Sequence, residues 1–472
     1  MADYYQYAWL TICATMATDG GGISREIVPA AMPRVARLPY RSPDGEDKGY
    51  FYVQCVGAAT LAKDYKEHIA QSSLLQRGWV YQEWMLSRRV LAFSAMGVFV
   101  QCQEGPPQSI LGDDVFDRGE QEEIREEKLP AMVDIAFKES IRLDFSTRAE
   151  IFRSWERVVE AYSGLGLTKI VSDRLVALAG VAKEFDLAIK MQDERDGLQT
   201  TTLSHRYTSG LWYGDVRGLL WEQVTSGPRV RVDGIPTWSW ASMATRVLDE
   251  KGTEVLSGMA VRCPETDSFT KTKYRVKKMD SDIKCKAESA FTIRLDQAMK
   301  PRFDQGSVLP TLDEYDNDSR FVMLRLQGKL TRVIVDIEIV GEEDDHAMWV
   351  LTAHAPNFGR SMWRRVSTHI HRHLLRGWAS IEHPDCQVNA AGQLRSIDEV
   401  YALLVIKIPK AYGGCGFGNL SAYQPCFQVL YLKAVHVEGF SDTYERLGVG
   451  RMFGNDVDSC FELAEEKCIW LV

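Results

Sequence analysis

Residues Leu74–Cys102, LLQRGWVYQEWMLSRRVLAFSAMGVFVQC, decide how the first part of this 472-residue chain is read. Arg77, Gly78, Trp79, Gln82, Glu83 and Ser87 fall within about three turns of an α-helix at 3.6 residues per turn. A helix is predicted over Ser72–Ser87. Trp79 and Glu83 are four apart, so on that helix they share one face. After Ser87 the spacing changes. Val90–Phe93 and Val98–Cys102 read as two short strands joined across Ser94–Gly97. An indole beside a carboxylate is either core packing next to a surface charge or a stacking wall next to an acid.

Working outward, Trp9–Ala14 and Tyr50–Val56 read as strands, with a chain break at Gly20-Gly21-Gly22 between them. Gly105-Pro106-Pro107 and the acidic stretch from Asp117 to Glu127 mark a boundary. Beyond it, Ile151, Trp155, Val158, Val159 and Tyr162 recur at helical spacing. Ser172-Asp173 is placed to cap a second helix carrying Leu175, Leu178, Ala179, Ala182 and Phe185. From Ser204 onward strand signals dominate: Val255–Val261, Phe291–Leu295, Phe321–Leu326, Val333–Ile339, Val400–Ile408, Phe427–Leu432 and Cys468–Val472. The expected fold is α/β over residues 1–105, an acidic linker and helical segment over 106–203, and a β-rich domain over 204–472.

Composition excludes several classes. With 56 basic and 65 acidic residues the net charge is −9, the opposite of the basic field that nonspecific nucleic-acid binding needs. Lys271, Lys273, Arg275, Lys277 and Lys278 read as a solvated basic run rather than a nucleic-acid contact. No window approaches the ~20 apolar residues of a membrane span. The first residues lack the basic-then-apolar pattern of a secretion signal. The ten cysteines contain no CxxC pair and read as reduced thiols, so a cytoplasmic setting is expected.

Arg77-Gly78-Trp79-Val80-Tyr81-Gln82-Glu83, then Leu86-Ser87-Arg88-Arg89 and Cys102, resembles the last signature block of the fungal heterokaryon-incompatibility (HET) domain. Met1-Ala2-Asp3-Tyr4-Tyr5-Gln6-Tyr7-Ala8 with Leu10-Thr11-Ile12-Cys13-Ala14 is similar to that family's middle segment. Further blocks fit in order: Ala161-Tyr162-Ser163, Leu167-Thr168, Ser172-Asp173-Arg174-Leu175, Tyr207 with Gly210-Leu211-Trp212, Leu220-Trp221, and Pro236-Thr237-Trp238-Ser239-Trp240-Ala241-Ser242. Tyr444-Glu445-Arg446-Leu447-Gly448 resembles the usual closing strand. The family's opening strand and loop are not found before Met1, so the chain is expected to begin partway through the domain, as its C-terminal part. The resemblance implies nonself recognition in a filamentous fungus, ending in growth arrest or cell death. The module would act through contacts with other incompatibility proteins or with itself. The alternatives are an NAD-hydrolysing enzyme and a truncated, nonfunctional paralogue.

The enzyme alternative comes from a further resemblance, of the HET domain to Toll/interleukin-receptor (TIR) domains. Some of those cleave NAD with a glutamate four residues after a tryptophan. Glu83 would then be the catalytic carboxylate, stabilising the oxocarbenium character that develops as the nicotinamide–ribose bond breaks. Trp79 and Arg77 would contact substrate, the first by stacking and the second by a bidentate contact to phosphate. NAD would be the substrate, with no bound cofactor. The incomplete pocket leads us to expect this chain to be inactive. The structural alternatives are Trp79 filling the core, Glu83 paired with Arg77 or Arg88, and Arg77 in a buried ion pair.

Other groupings are weaker. His369, His371 and His373 would share a face on a strand, but Arg364, Arg365 and Arg372 surround them, and a solvated polar face is favoured over a metal site. Gly413, Gly414, Gly416 and Gly418 lack the Lys-Ser/Thr ending of a P-loop and read as a loop. Trp212, Trp221, Trp238 and Trp240 are read as core of the second domain, with a partner groove as the rarer alternative.

Overall fold

The computed structural model describes residues 2–17, 35–54, 58–94, 97–102, 107–110, 147–197, 207–212, 215–224, 229–248, 252, 254–262, 299–302, 323–339, 363–372, 374, 376–381, 399–411 and 424–472. The glycine break at 20–22, the acidic stretch 117–127, the basic run 271–278, the strand expected at 291–295, His373 and the cluster from Gly413 to Gly418 lie outside them. The chain divides into two compact units. The first is Met1–Ser154 with Ala177–Ala188; the second is Trp155–Val176 with Ile189–Val472. Strands outnumber helices, and a large sheet occupies the C-terminal half. Among the described residues no helix is long and apolar enough to cross a membrane.

The first unit opens with α1 (Ala2–Tyr7), β1 (Thr11–Cys13) and the antiparallel pair β2 (Val35–Arg41) and β3 (Asp47–Gln54). Next come α2 (Ala58–Tyr65), which runs into a π-helical turn at Lys66–Ala70, and α3 (Gly78–Leu86). β4 (Arg89–Phe93), β5 (Val98–Cys102) and β6 (Gln108–Ser109) follow. The sheet order is β1-β4-β5-β6. β1 lies parallel to β4, with Thr11 opposite Val90 and Cys13 opposite Ala92. β4 and β5 form the expected antiparallel hairpin, with Arg89 opposite Cys102 and Phe93 opposite Val98. Its turn closes through Ser94, whose N–H donates to the Gly97 carbonyl (2.9 Å) and whose Oγ accepts from the Gly97 N–H (3.1 Å). The helix is shorter than its apolar spacing suggests. Residues 72–77 form successive tight turns, with Leu75, Gln76 and Arg77 N–H groups donating three residues back. Ser72 Oγ also takes the Leu75 N–H, the local competition with helix that serine offers.

The second unit takes its share of α4 (Arg148–Ser163) and α6 (Val176–Arg195), with α5 (Ile170–Asp173) between them. Ser172 and Asp173 do not cap α6. They sit inside α5, where Ser172 Oγ donates to Asp173 Oδ1 (2.6 Å), and the N-cap of α6 is Leu175, without a side-chain bond. Short antiparallel pieces follow: β7 (Tyr207–Thr208) with β8 (Leu211–Trp212), β9 (Glu222–Gln223) with β13 (Val261–Arg262), and β10 (Arg229–Arg231), β11 (Met243–Leu248) and β12 (Glu254–Gly258) as one sheet.

Tryptophans build the core here. Trp212, Trp221, Trp238 and Trp240 are all buried, which supports the core reading over a groove. Trp155 and Trp240 both donate their indole N–H to the Gly210 carbonyl (3.1 and 3.0 Å). Gly210 has φ +91°, and a Cβ there would lie 2.4 Å from Trp240 Nε1, so only glycine fits. Arg174 is fully buried beside them. Its guanidinium donates to four backbone carbonyls, those of Ala241, Met243, Ser163 and Met259, while its own carbonyl accepts the Tyr162 hydroxyl (2.6 Å). Burial lowers the guanidinium to about 10.

The large sheet comprises β14 (Met299–Arg302), β15 (Leu324–Ile339), β16 (Trp363–Thr368), β17 (Gly377–Ile381), β18 (Val400–Ala411), β19 (Gln424–Ala434), β20 (Thr443–Phe453) and β21 (Glu466–Leu471). Six of these close into a ring, β15-β16-β17-β20-β19-β18, because β18 pairs back to β15 at Leu330–Val333. Every pairing in the ring is antiparallel, the arrangement of a small β-barrel. Its core includes Val366, Phe427, Val429, Tyr431, Leu447 and Met452. α7 (Asn455–Leu463) adds Val457 and Phe461 to the same core. β20, which holds the block Tyr444–Gly448, does not close the fold, since α7 and β21 follow it. Glycines permit tight strand approach: a Cβ on Gly448 would fall 1.9 Å from the Ser380 carbonyl, and one on Gly450 2.0 Å from that of Trp378.

Candidate functional site on helix α3

α3 is buried almost all round. Val80, Tyr81, Gln82, Trp84, Met85 and Leu86 are buried, and Trp79 and Glu83 form its half-buried stripe. The shared face expected from their spacing is therefore present. Trp79 is not the core tryptophan; Trp84, at 2% exposure, fills that place. Arg77, the N-cap, is exposed rather than locked in a buried ion pair.

Burial pushes the Glu83 carboxyl above its ordinary value; a hydrogen bond from Tyr5 and the charge of Arg77 pull it partly back. Tyr5, on α1, is raised to about 12, first by burial and then by the Glu83 carboxylate that accepts its hydroxyl. The backbone under Glu83 is fixed as well. Ser87 Oγ donates to the Glu83 carbonyl (2.6 Å), and Thr11 Oγ1 lies 2.7 Å from Ser87 Oγ, which ties the end of α3 to β1. Arg77, Trp79 and Glu83 thus sit along α3, and the structure adds Tyr5. No local sequence signal could have found Tyr5, because it lies 78 positions upstream on another helix.

Gln82 has a separate task. Its Oε1 accepts the Gly180 N–H at 2.7 Å, and a Cβ on Gly180 would collide with it at 2.4 Å. α3 and the Leu178-Ala179-Gly180 segment of α6 are thus one packed assembly within the first unit.

Two further polar clusters were not anticipated. In the first unit Ser94 Oγ donates to Asp64 Oδ2, and His68 Nδ1 lies 2.9 Å from Asp64 Oδ1. The His68 approach is not an aligned hydrogen bond. The serine proton faces the aspartate and not the histidine, so this is not the order of a nucleophilic triad. In the second unit Arg217 stands 3.0 Å from Glu156 and 3.7 Å from the buried Asp215, whose carboxyl is raised by burial against the pull of that arginine.

His369 and His371 do not share a strand face. They follow the end of β16, where the His371 N–H donates to Thr368 Oγ1 (3.1 Å) and a turn begins. Among the described residues no group of three or more His, Cys, Asp or Glu side chains is arranged to hold a metal ion. No family model, no curated protein and no solved structure matches the chain.

Proposed function

We propose that this chain is a heterokaryon-incompatibility protein of a filamentous fungus, acting in the cytoplasm as a signalling or cell-death effector module through protein contacts. The observation that carries this reading is the bond from the Gly180 amide to Gln82. It joins Gln82, in the block that resembles the family's last signature, to α6, which begins directly after the block Ser172-Asp173-Arg174-Leu175 that also resembles the family. Partners would be other incompatibility proteins or a second copy. The exposed Arg77 and half-buried Trp79 are suited to contact, since arginine and tryptophan are favoured at the energetic centres of interfaces.

A second reading, a TIR-like NAD glycohydrolase, is favoured by one observation: the half-buried Glu83 carboxyl, raised by desolvation and flanked by Arg77 and Trp79. Such carboxyls concentrate where charge must be stabilised during a reaction. In that chemistry the Glu83 carboxylate would face the ribosyl carbon as nicotinamide leaves, and Trp79 would stack on a ring.

One experiment separates the two. The chain and its Glu83→Gln variant are expressed in fungal cells, and cell death and NAD are followed together, with folding checked in both. Gln keeps size and hydrogen bonding but not charge. The effector reading expects death at unchanged NAD in both proteins. NAD loss in wild type that vanishes in Glu83→Gln would establish the enzyme. Folded wild-type protein that causes no death would overturn the effector reading, and death at unchanged NAD in both proteins would overturn the enzyme.

A further inference from the structure

α1 buries none of its own residues, and its Tyr4 and Tyr7 are 81% and 73% exposed. A helix of six residues has no stability of its own. α1 packs against α3, and three specific contacts within the first unit help to hold it. The Tyr5 hydroxyl donates to the Glu83 carboxylate. Gln6 Nε2 donates to Glu184 Oε1 at 2.7 Å. Ala2 rests over Gly180, where a Cβ would fall 2.5 Å from Ala2 Cβ. Two of the three are polar links through half-exposed side chains, and the third depends on a missing methyl group. An element held this way opens at low free energy compared with one packed into a core.

We propose that α1 is a releasable cover over the Glu83 carboxylate, fastened by the Tyr5 hydroxyl, and that whatever Glu83 meets is met with α1 displaced. This rests on the reading that places function on the Trp79–Glu83 face of α3. It adds that the described arrangement is the closed one. Tyr5 is then a positioning residue: it satisfies the carboxylate while the cover is down and leaves with it. Gly180 sets how closely the cover seats.

The test needs no activity. The folded full chain is treated with a carbodiimide and glycine ethyl ester, and Glu83 modification is read by peptide mass spectrometry, with hydrogen exchange followed over residues 2–7. Tyr5→Phe removes the fastener. Gly180→Ala pushes on Ala2, and on Gln82 of α3 as well, without changing the Tyr5 or Glu83 side chains themselves. Losing one such hydrogen bond should raise Glu83 modification about two- to tenfold. Exchange over residues 2–7 should rise with it, while modification of the exposed Glu46 stays constant. Gly180→Ala should shift both readouts in the same direction. Unchanged Glu83 modification in both folded variants would overturn the proposal. So would a rise without faster exchange over residues 2–7, which would mean a lost bond under a fixed helix. Cells that show neither death nor NAD loss would remove the functional reading and leave this outcome intact.

Discussion

In the first unit β1 pairs on one side with β4 and, among the described residues, has no neighbour on the other. In the second unit each strand of the ring has a neighbour on both sides. Around β1 lie Trp9 at 82% and Ile12 at 57% exposure, and the adjoining helix hangs on polar links. Inside the ring, Phe427, Val429 and Tyr431 have no exposure at all. Closure removes the unpaired backbone that makes an edge sticky and leaves little that can open cheaply. A half-buried carboxylate beside a six-residue helix that buries none of its own residues is the reverse arrangement. The contrast separates a part suited to change from a part suited to hold shape.

The largest effect should come from breaking the ring. Gly450→Val places a side chain where the Trp378 carbonyl already stands, and neither strand can withdraw without losing its partner. We expect a loss of at least about 4 kcal/mol, in the range reserved for severe core overpacking. Chemical denaturation followed by tryptophan fluorescence would show it. A variant within about 1 kcal/mol of wild type would mean that the ring is not the rigid part.

Next is Arg174→Leu, which strands the carbonyls of Ser163, Ala241, Met243 and Met259. This buried guanidinium is held by four backbone carbonyls. A cost of about 3–5 kcal/mol is expected, as for breaking a buried charged pair. Arg174→Lys should recover only part of it, because one ammonium cannot span the fork. Denaturant midpoints of the two variants, measured side by side, decide the matter; equal midpoints would contradict the fork argument.

The smallest effect is expected at Glu83. Its carboxyl is raised in the folded chain, so the native state holds that proton more tightly than the unfolded state does. The stability this brings is present below the unfolded value and is lost as pH rises through the folded value. Glu83→Gln should therefore flatten the pH dependence across the weakly acidic range and leave the protein slightly more stable at neutral pH. Melting temperatures at several pH values test the sign. A variant that is less stable than wild type at neutral pH, with an unchanged slope, would contradict it.

How much of this could be read from the residues varies with the range of the interaction. The helix-to-hairpin switch at Ser87 was legible because periods of 3.6 and 2 are local. The strand-rich second half was legible for the same reason. The turns at residues 72–77 were not, since apolar spacing continues through them while serine redirects the backbone. Nor could spacing say which tryptophan of α3 points inward, because Trp79 and Trp84 lie on different faces and only packing chooses. Tyr5 over Glu83, Gly180 under Gln82 and the four carbonyls around Arg174 join positions from 11 to 98 residues apart. Closure of the ring is a fact of register between Leu330–Val333 and Val400–Leu403, invisible to any single strand.

β15 has a consequence for the chain as it leaves the ribosome. Its first half pairs with residues up to Leu471 and its second half with β16 and β18. The ring is incomplete until β20, ending at Phe453, has been made. At ~5–20 residues per second, roughly ten seconds separate the synthesis of Ile339 from that of Phe453. Throughout that interval a sixteen-residue strand waits without its full set of neighbours. Speed of translation, and whatever shields nascent apolar strands, should therefore govern the yield of this protein more than they govern its final stability.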